Sequence, residues 1–282
     1  MSWTMYRWGW QLQSPLRIGW LPAGALNRAR LYVPARGLWG AFTAEIARRG
    51  NANFPDYHSI GEELQRNTRF SYLFPAEQVD GEWQAWLPEY QPGQGLMWKR
   101  EDGKAELEER RFRVRLLTTR PGTAIEPTSD TAEEGTLREF ELIGPWWRPL
   151  EGEDLKPVAM VGYLFCRDRT LGDQIQGIQE IFVGGDIRYG LGRLRRVILE
   201  EAKDLFGSTV DLSGDSPAVC TGRVLAHTLP QRINLLGSRE CIGGWDMSSG
   251  GMIRARLVGA PGCSVDQERT FATTEDGVWE AR

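Results

Sequence analysis

The sequence predicts an α+β fold. Three observations carry that expectation. Segments of period-two hydrophobicity alternate with two segments of helical periodicity, the longest apolar run (158–167) has strand rather than membrane length, and the last quarter is rich in glycine and lacks helical periodicity.

The first strand is expected in "WTMYRWGWQLQSP", where Tyr6, Trp8, Trp10 and Leu12 alternate with Met5, Arg7 and Gly9 before the Ser14-Pro15 break. Residues 20–37 read as a loop, on their glycines and prolines. Leu38, Phe42 and Ile46 then lie four apart, one face of a helix that closes on Arg48, Arg49 and Gly50. Residues 51–111, broken by Pro55, Pro75, Pro88 and Pro92, read as an insertion with hairpins. "RFRVRLLTT" (111–119) alternates arginine with Phe112, Val114 and Leu116, and is expected to be a strand with one cationic face. Further strands are expected at 136–143 and 158–167. Leu171, Ile175, Ile178 and Phe182 define a second helix, with Thr170 and Asp173 spaced as a capping box. "LRRVILEEA" reads as the last core strand.

The resulting order is β-α-β-β-α-β, the ferredoxin-like (RRM-like) arrangement. We therefore expect a core domain over 1–207 with an insertion at about 51–111, followed by a mainly β and loop extension, or small second domain, over 208–282.

Composition narrows the function classes. The chain has 282 residues, 41% of them hydrophobic, with a formal net charge of −4. A free nucleic-acid binder is usually basic, so any such contact must use one local basic face. All but four of the 34 basic residues (Lys99, Lys104, Lys156, Lys203) are arginine, the side chain suited to bidentate phosphate contacts and base stacking. Four dispersed cysteines without a C-x-x-C pair, and two distant histidines, argue against a metal site or disulfide framework. No cofactor motif is present. The N-terminus lacks a signal-peptide core and no run spans a bilayer, so a cytoplasmic protein with no membrane partner is expected.

The densest chemistry is "GGDIRYGLGRLRR" (184–196). Gly184, Gly185, Gly190 and Gly192 permit positive φ and close ligand approach, and their N–H groups can form an anion-binding concavity. Arg188, Arg193, Arg195 and Arg196 supply charge, and Tyr189 can stack on a base. The spacing excludes a Walker loop, because Leu191-Gly192 stands where Lys-Ser/Thr is needed. A preceding helix excludes the dinucleotide fingerprint. On chemistry alone, a plain turn with solvated arginines remains open.

Its position after the second helix and before the last strand resembles the hallmark loop of the RAMP (repeat-associated mysterious protein) superfamily of CRISPR-associated proteins. "LYVPARGLWGAFTAEIAR" (31–48) is similar to that family's entry to the first helix, with Pro34 and Gly40-Ala41 matching and Arg36-Gly37 replacing a small-residue turn. "TAIEPTSDTAEEGTLREFELI" (123–143) is similar to a stretch of type III backbone subunits. "GGWD" (243–246) and "GAPGCS" (259–264) resemble some larger type III D members. The resemblance implies an RNA-binding subunit of a CRISPR type III antiviral effector complex, a ribonucleoprotein whose partners are guide RNA, target RNA and other effector subunits.

Backbone subunits of such complexes can cut RNA with an aspartate between the first strand and first helix. Here residues 14–34 contain no Asp, Glu or His, and offer Arg17, Arg28 and Arg30 instead, with Arg36 following. The resemblance therefore implies a subunit that holds RNA without a nuclease centre of its own. Two alternatives stand beside it. One is a guide-processing endoribonuclease using His58, and the other is a ferredoxin-like scaffold contacting only protein. His227, Asp186 and Asp246 read first as structural. Trp8 and Trp10 are expected in the core and Trp20 at a subunit interface.

Overall fold

The computed structural model describes residues 2–50, 54–150, 152, 154–231, 233–246 and 251–282. Among these residues it is a mixed α+β structure with four α-helices, and nearly all strand pairs are antiparallel. The nine-stranded main sheet runs in the order Glu180–Phe182, Arg193–Glu201, Thr4–Leu12, Ala159–Cys166, Phe74–Val79, Glu82–Gln91, Gly95–Arg100, Glu106–Glu108; Thr68–Phe70 also pairs with Ala159–Cys166.

The first strand sits centrally because its alternation is used as expected. Trp8 and Trp10 point to one face and are buried, stacking or meeting edge-on with Phe42 of the helix Ala35–Arg49 at ring distances of 5.1 and 5.7 Å. Phe70 extends the stack. Each such aromatic pair adds about 0.5–1.5 kcal/mol beyond its buried area. Trp8 lies opposite Gly162, where a Cβ would fall 2.5 Å from the Tyr72 carbonyl oxygen, so the strand Ala159–Cys166 and the 71–73 segment meet backbone to backbone.

Four local expectations are corrected. Residues 111–119 are not a strand: a helix spans Glu109–Leu116, and a strand, Leu117–Gly122, follows. The alternation of arginine concealed a four-residue spacing, in which Phe112 and Leu116 are both buried while Val114 is 60% exposed. Phe112 stacks flat on Trp98 at 4.3 Å, and Arg115 reaches the buried Glu77 carboxylate at 3.1 Å. The strand beside Ala159–Cys166 instead comes from 68–79, preceded by an additional helix, Tyr57–Asn67. The expected loop over 20–37 instead holds most of a hairpin, Gly19–Ala23 with Leu26–Ala29. The last helix covers only Arg169–Gln176, capped by Asp168 accepting from the Leu171 N–H at 2.8 Å rather than by Thr170. Ile178 and Phe182 therefore lie beyond it, Phe182 in a strand.

Arg138–Ile143 is a strand as expected, but in a separate four-stranded sheet. There it pairs parallel with Leu26–Ala29 and antiparallel with Leu117–Gly122. Residues 208–282 form strands and loops without a helix among the described residues, chiefly a six-stranded sheet around Ala218–Arg223 and Ser264–Thr273. One continuous apolar cluster joins this region to the main sheet, through Leu205, Val219, Phe271 and Trp279.

Candidate nucleic-acid interface

The glycine-arginine loop is sewn to the segment after the first strand. The Gly185 N–H donates to the Arg17 carbonyl at 2.9 Å, the Gly192 N–H to the Pro15 carbonyl at 2.9 Å, and the Arg193 N–H to Ser14 Oγ at 3.0 Å. Two glycines are required by this closeness. Gly184 has φ +89° and a Cβ there would lie 2.3 Å from the Arg17 oxygen; Gly192 has φ +74° and a Cβ would lie 2.0 Å from the Val183 oxygen. No other residue fits either position. Between them a single 3₁₀ turn, Ile187–Tyr189, lifts Tyr189 into solvent at 74% exposure. Asp186, at φ +59°, turns back to pair with Arg17.

The loop and Arg17 separate two basic pockets. The first, about 450 Å³, lies on the Gly184-Gly185 side. Its walls include Arg17, Arg30, Arg36 and Arg256, and its rim includes Pro34 and Gly37 at the start of the helix Ala35–Arg49. That helix has no side-chain N-cap and no acid in its first turn, so its positive end faces the pocket uncompensated from within the helix. The Asp276-Gly277-Val278 turn closes the pocket against this helix. Here a Cβ on Gly277 would lie 2.1 Å from the Ala35 Cβ. Asp276 holds Arg256 at 2.6 Å. Burial opposes ionisation of Asp276, yet the bonds from Thr274, Arg256 and the Val278 N–H hold its carboxyl below the usual range.

The second pocket, about 390 Å³, is lined by Arg17, Asn27, Arg120, Arg138, Phe140 and Tyr189, among others. The guanidiniums of Arg17 and Arg138 lie 4.0 and 5.8 Å from the Phe140 ring. A single-stranded nucleic acid needs cations for its backbone and flat surfaces for its bases, and both are present. This pocket uses residues the sequence reading passed over. Arg138 and Phe140 share one strand face, which is a legible signal; Arg120 is brought opposite Phe140 by the antiparallel pairing of Leu117–Gly122 with Arg138–Ile143, which is not.

The remaining expected site residues are dispersed in role. Arg188 and Arg195 are exposed, and their side chains make no hydrogen bond or ion pair among the described residues. Arg193 is held by Glu180 at 2.8 Å. Arg196 donates to the Gln176 and Ile178 carbonyls at 2.5 and 2.9 Å, closing the end of the last helix, and burial lowers its pKa. Arg28 stacks over Trp20 at 4.4 Å, and Trp20 is half-buried. His58 is exposed on the helix Tyr57–Asn67, 3.3 Å from Glu62, and lines neither pocket. The Asp246 side chain lies outside the described residues.

His227 lies on the floor of the first pocket, buried in a polar network that spans the chain. Its Nδ1 is 2.7 Å from Tyr72 Oη, and its Nε2 is 3.2 Å from Glu240 Oε2 and 3.3 Å from Tyr32 Oη. Arg30 donates to both Glu240 and Tyr32. Burial pushes the Tyr72 and Tyr32 phenols well up, so both keep their protons. Burial works against the Glu240 carboxylate, but its bonds from His227 and Arg30 hold its pKa below the usual value. Sequence separations of 155 and 195 residues to the tyrosines left no local signal of this network.

No protein-family model matches the chain, and no curated protein matches its sequence. Solved structures share its fold. A chain of Type III-B Cmr-beta bound to cognate target RNA and AMPPnP matches 92% of this chain with 85% of its own, at a TM-score of 0.57 and 12% identity. Type III-B Cmr-beta bound to cognate target RNA matches 93% with 86%, at 0.55 and 14%. At such identities the likeness is one of fold. It is consistent with the RAMP-like, type III resemblance carried by the sequence motifs. Among the described residues no helix is long and apolar enough to cross a membrane, and no cluster of ligating side chains could hold a metal ion.

Proposed function

We propose that this chain is an RNA-binding subunit of a CRISPR type III effector complex and holds the guide RNA along the loop 184–192. The observation that carries the reading is the pair of basic pockets on either side of that loop, with Arg17 in both. Phosphates are received by Arg17, Arg36, Arg120 and Arg138 and by the start of the helix Ala35–Arg49; bases stack on Tyr189 and Phe140. Arg188 and Arg195 extend the basic surface, while Arg193 and Arg196 shape it from within. Target RNA and the other effector subunits are the further partners.

A ferredoxin-like core is part of this reading. Its support is the central strand order 193–201, 4–12, 159–166, 68–79, with Ala35–Arg49 in the connection from Thr4–Leu12 to 68–79 and Arg169–Gln176 in the connection from Ala159–Cys166 to Arg193–Glu201. The subunit holds RNA rather than cutting it at the 14–34 segment, which contains no Asp, Glu or His.

The test is retention of guide RNA by complexes assembled with Arg120→Ala/Arg138→Ala protein. Loss of RNA with assembly intact is the expected result. Undiminished RNA, with the same variant folded, would contradict the proposal.

A further inference from the structure

We infer that Tyr72 reads the ribose 2′-hydroxyl of a nucleotide seated in the first pocket, and so selects RNA over DNA; this rests on the RNA-binding reading above. An ionised carboxylate only accepts hydrogen bonds, and Glu240 lies 3.2 Å from His227 Nε2, so Nε2 carries the ring proton. In the neutral imidazole this leaves Nδ1 as a bare acceptor. Its partner at 2.7 Å is Tyr72 Oη, which must spend its only proton there.

The consequence lies on the other side of the phenol. Tyr72 has no second hydrogen-bond partner among the described residues, and it lines the same pocket as Arg17, Arg36 and Gly184-Gly185. With its proton committed to His227, its oxygen offers lone pairs alone. It therefore rewards a donor from the ligand and penalises an acceptor or an apolar group. A nucleotide held by its phosphate at the arginines presents its sugar next, and the donor every ribonucleotide has and every deoxyribonucleotide lacks is the 2′-hydroxyl. A deoxyribose would cover the buried oxygen with a methylene and leave it unpaired. Tyr32 and Arg30 hold the network from behind: Arg30 donates to Glu240 and to Tyr32 Oη, which fixes the carboxylate in its accepting role. Glu240 is thus a positioning residue that acts through His227.

The experiment compares affinities of the full chain for one short single strand made in four forms: ribose, 2′-deoxy, 2′-fluoro and 2′-O-methyl. The fluoro strand keeps the ribose pucker but cannot donate. The wild-type protein is expected to bind ribose about tenfold tighter than the other three. Tyr72→Phe lowers ribose affinity to the deoxy level and leaves deoxy affinity unchanged. Glu240→Gln frees the ring proton to move to Nδ1, which turns Tyr72 into a donor; the ribose preference is lost without any change to the pocket lining. Equal wild-type affinity for ribose and fluoro strands would overturn the inference, as would Tyr72→Phe weakening all four alike. Failure to bind any strand would instead overturn the RNA-binding reading.

Discussion

Two glycines of the loop have different duties from a third, and single substitutions separate them. Gly192 is left-handed and its missing Cβ is occupied by the Val183 carbonyl, whereas Gly190, also left-handed, faces open space. Gly190→Ala is expected to cost about 1 kcal/mol, the left-handed penalty alone. Gly192→Ala adds a backbone clash of roughly 1–3 kcal/mol. Denaturant unfolding of both variants tests this ordering; equal losses would mean that the loop does not pack on the preceding strand as described. At this scale the sequence was informative about residue type but not about partner. The glycines and arginines of 184–196 are visible as a unit, but which arginines are already engaged depends on Glu180, Gln176 and Ile178. The weight of His227 was invisible, since its carboxylate comes from a neighbouring strand and its phenols from the other end of the chain.

Elements were legible where one periodicity dominated. Thr4–Leu12 and Ala35–Arg49 follow their patterns closely, because a pleated strand and an amphipathic helix leave Trp8, Trp10, Leu38 and Phe42 only one buried arrangement. Residues 109–122 were not, because arginine alternation fits a strand and Phe112/Leu116 fits a helix. Tertiary partners decided between them: Trp98 takes Phe112, and Glu77 takes Arg115. Glu77 is 1% exposed and pairs with Arg100 at 2.7 Å as well as Arg115 at 3.1 Å. Glu77→Ala is therefore expected to lose about 3–5 kcal/mol of unfolding free energy, the range for stranding a buried charge. Arg196→Ala should cost about 1.5–3 kcal/mol by uncapping the end of Arg169–Gln176. A variant as stable as wild type would free Arg196 for a direct role on RNA.

Across the whole molecule, an acidic chain carries a basic site by keeping its cations local: net charge is −4, yet Arg17, Arg36, Arg120 and Arg138 surround one loop. Stability and binding should consequently respond to different variables. Glu240 has a folded pKa below its unfolded value of about 4.3, so its stabilisation is present above that pH and is lost as pH falls through the lower folded value. Glu240→Gln should flatten the acid side of the stability curve measured between pH 6 and 3; an unchanged acid limb would place the loss elsewhere. The proposed RNA binding, by contrast, should be governed by phosphate contacts and hence by salt. The most direct test of the central claim is the affinity of the chain for single-stranded RNA as a function of salt concentration, for wild type and for Arg36→Ala/Arg120→Ala/Arg138→Ala. Under the central claim, the wild type is expected to show a log–log slope of roughly −3 for its four arginine–phosphate contacts. For the folded variant, which keeps Arg17, a loss of about a hundredfold at low salt is expected, from ~1 kcal/mol for each of three lost contacts, with the slope reduced to roughly −0.7. Salt-independent binding by the wild type, or a folded variant that binds with the same affinity and slope, would contradict the claim.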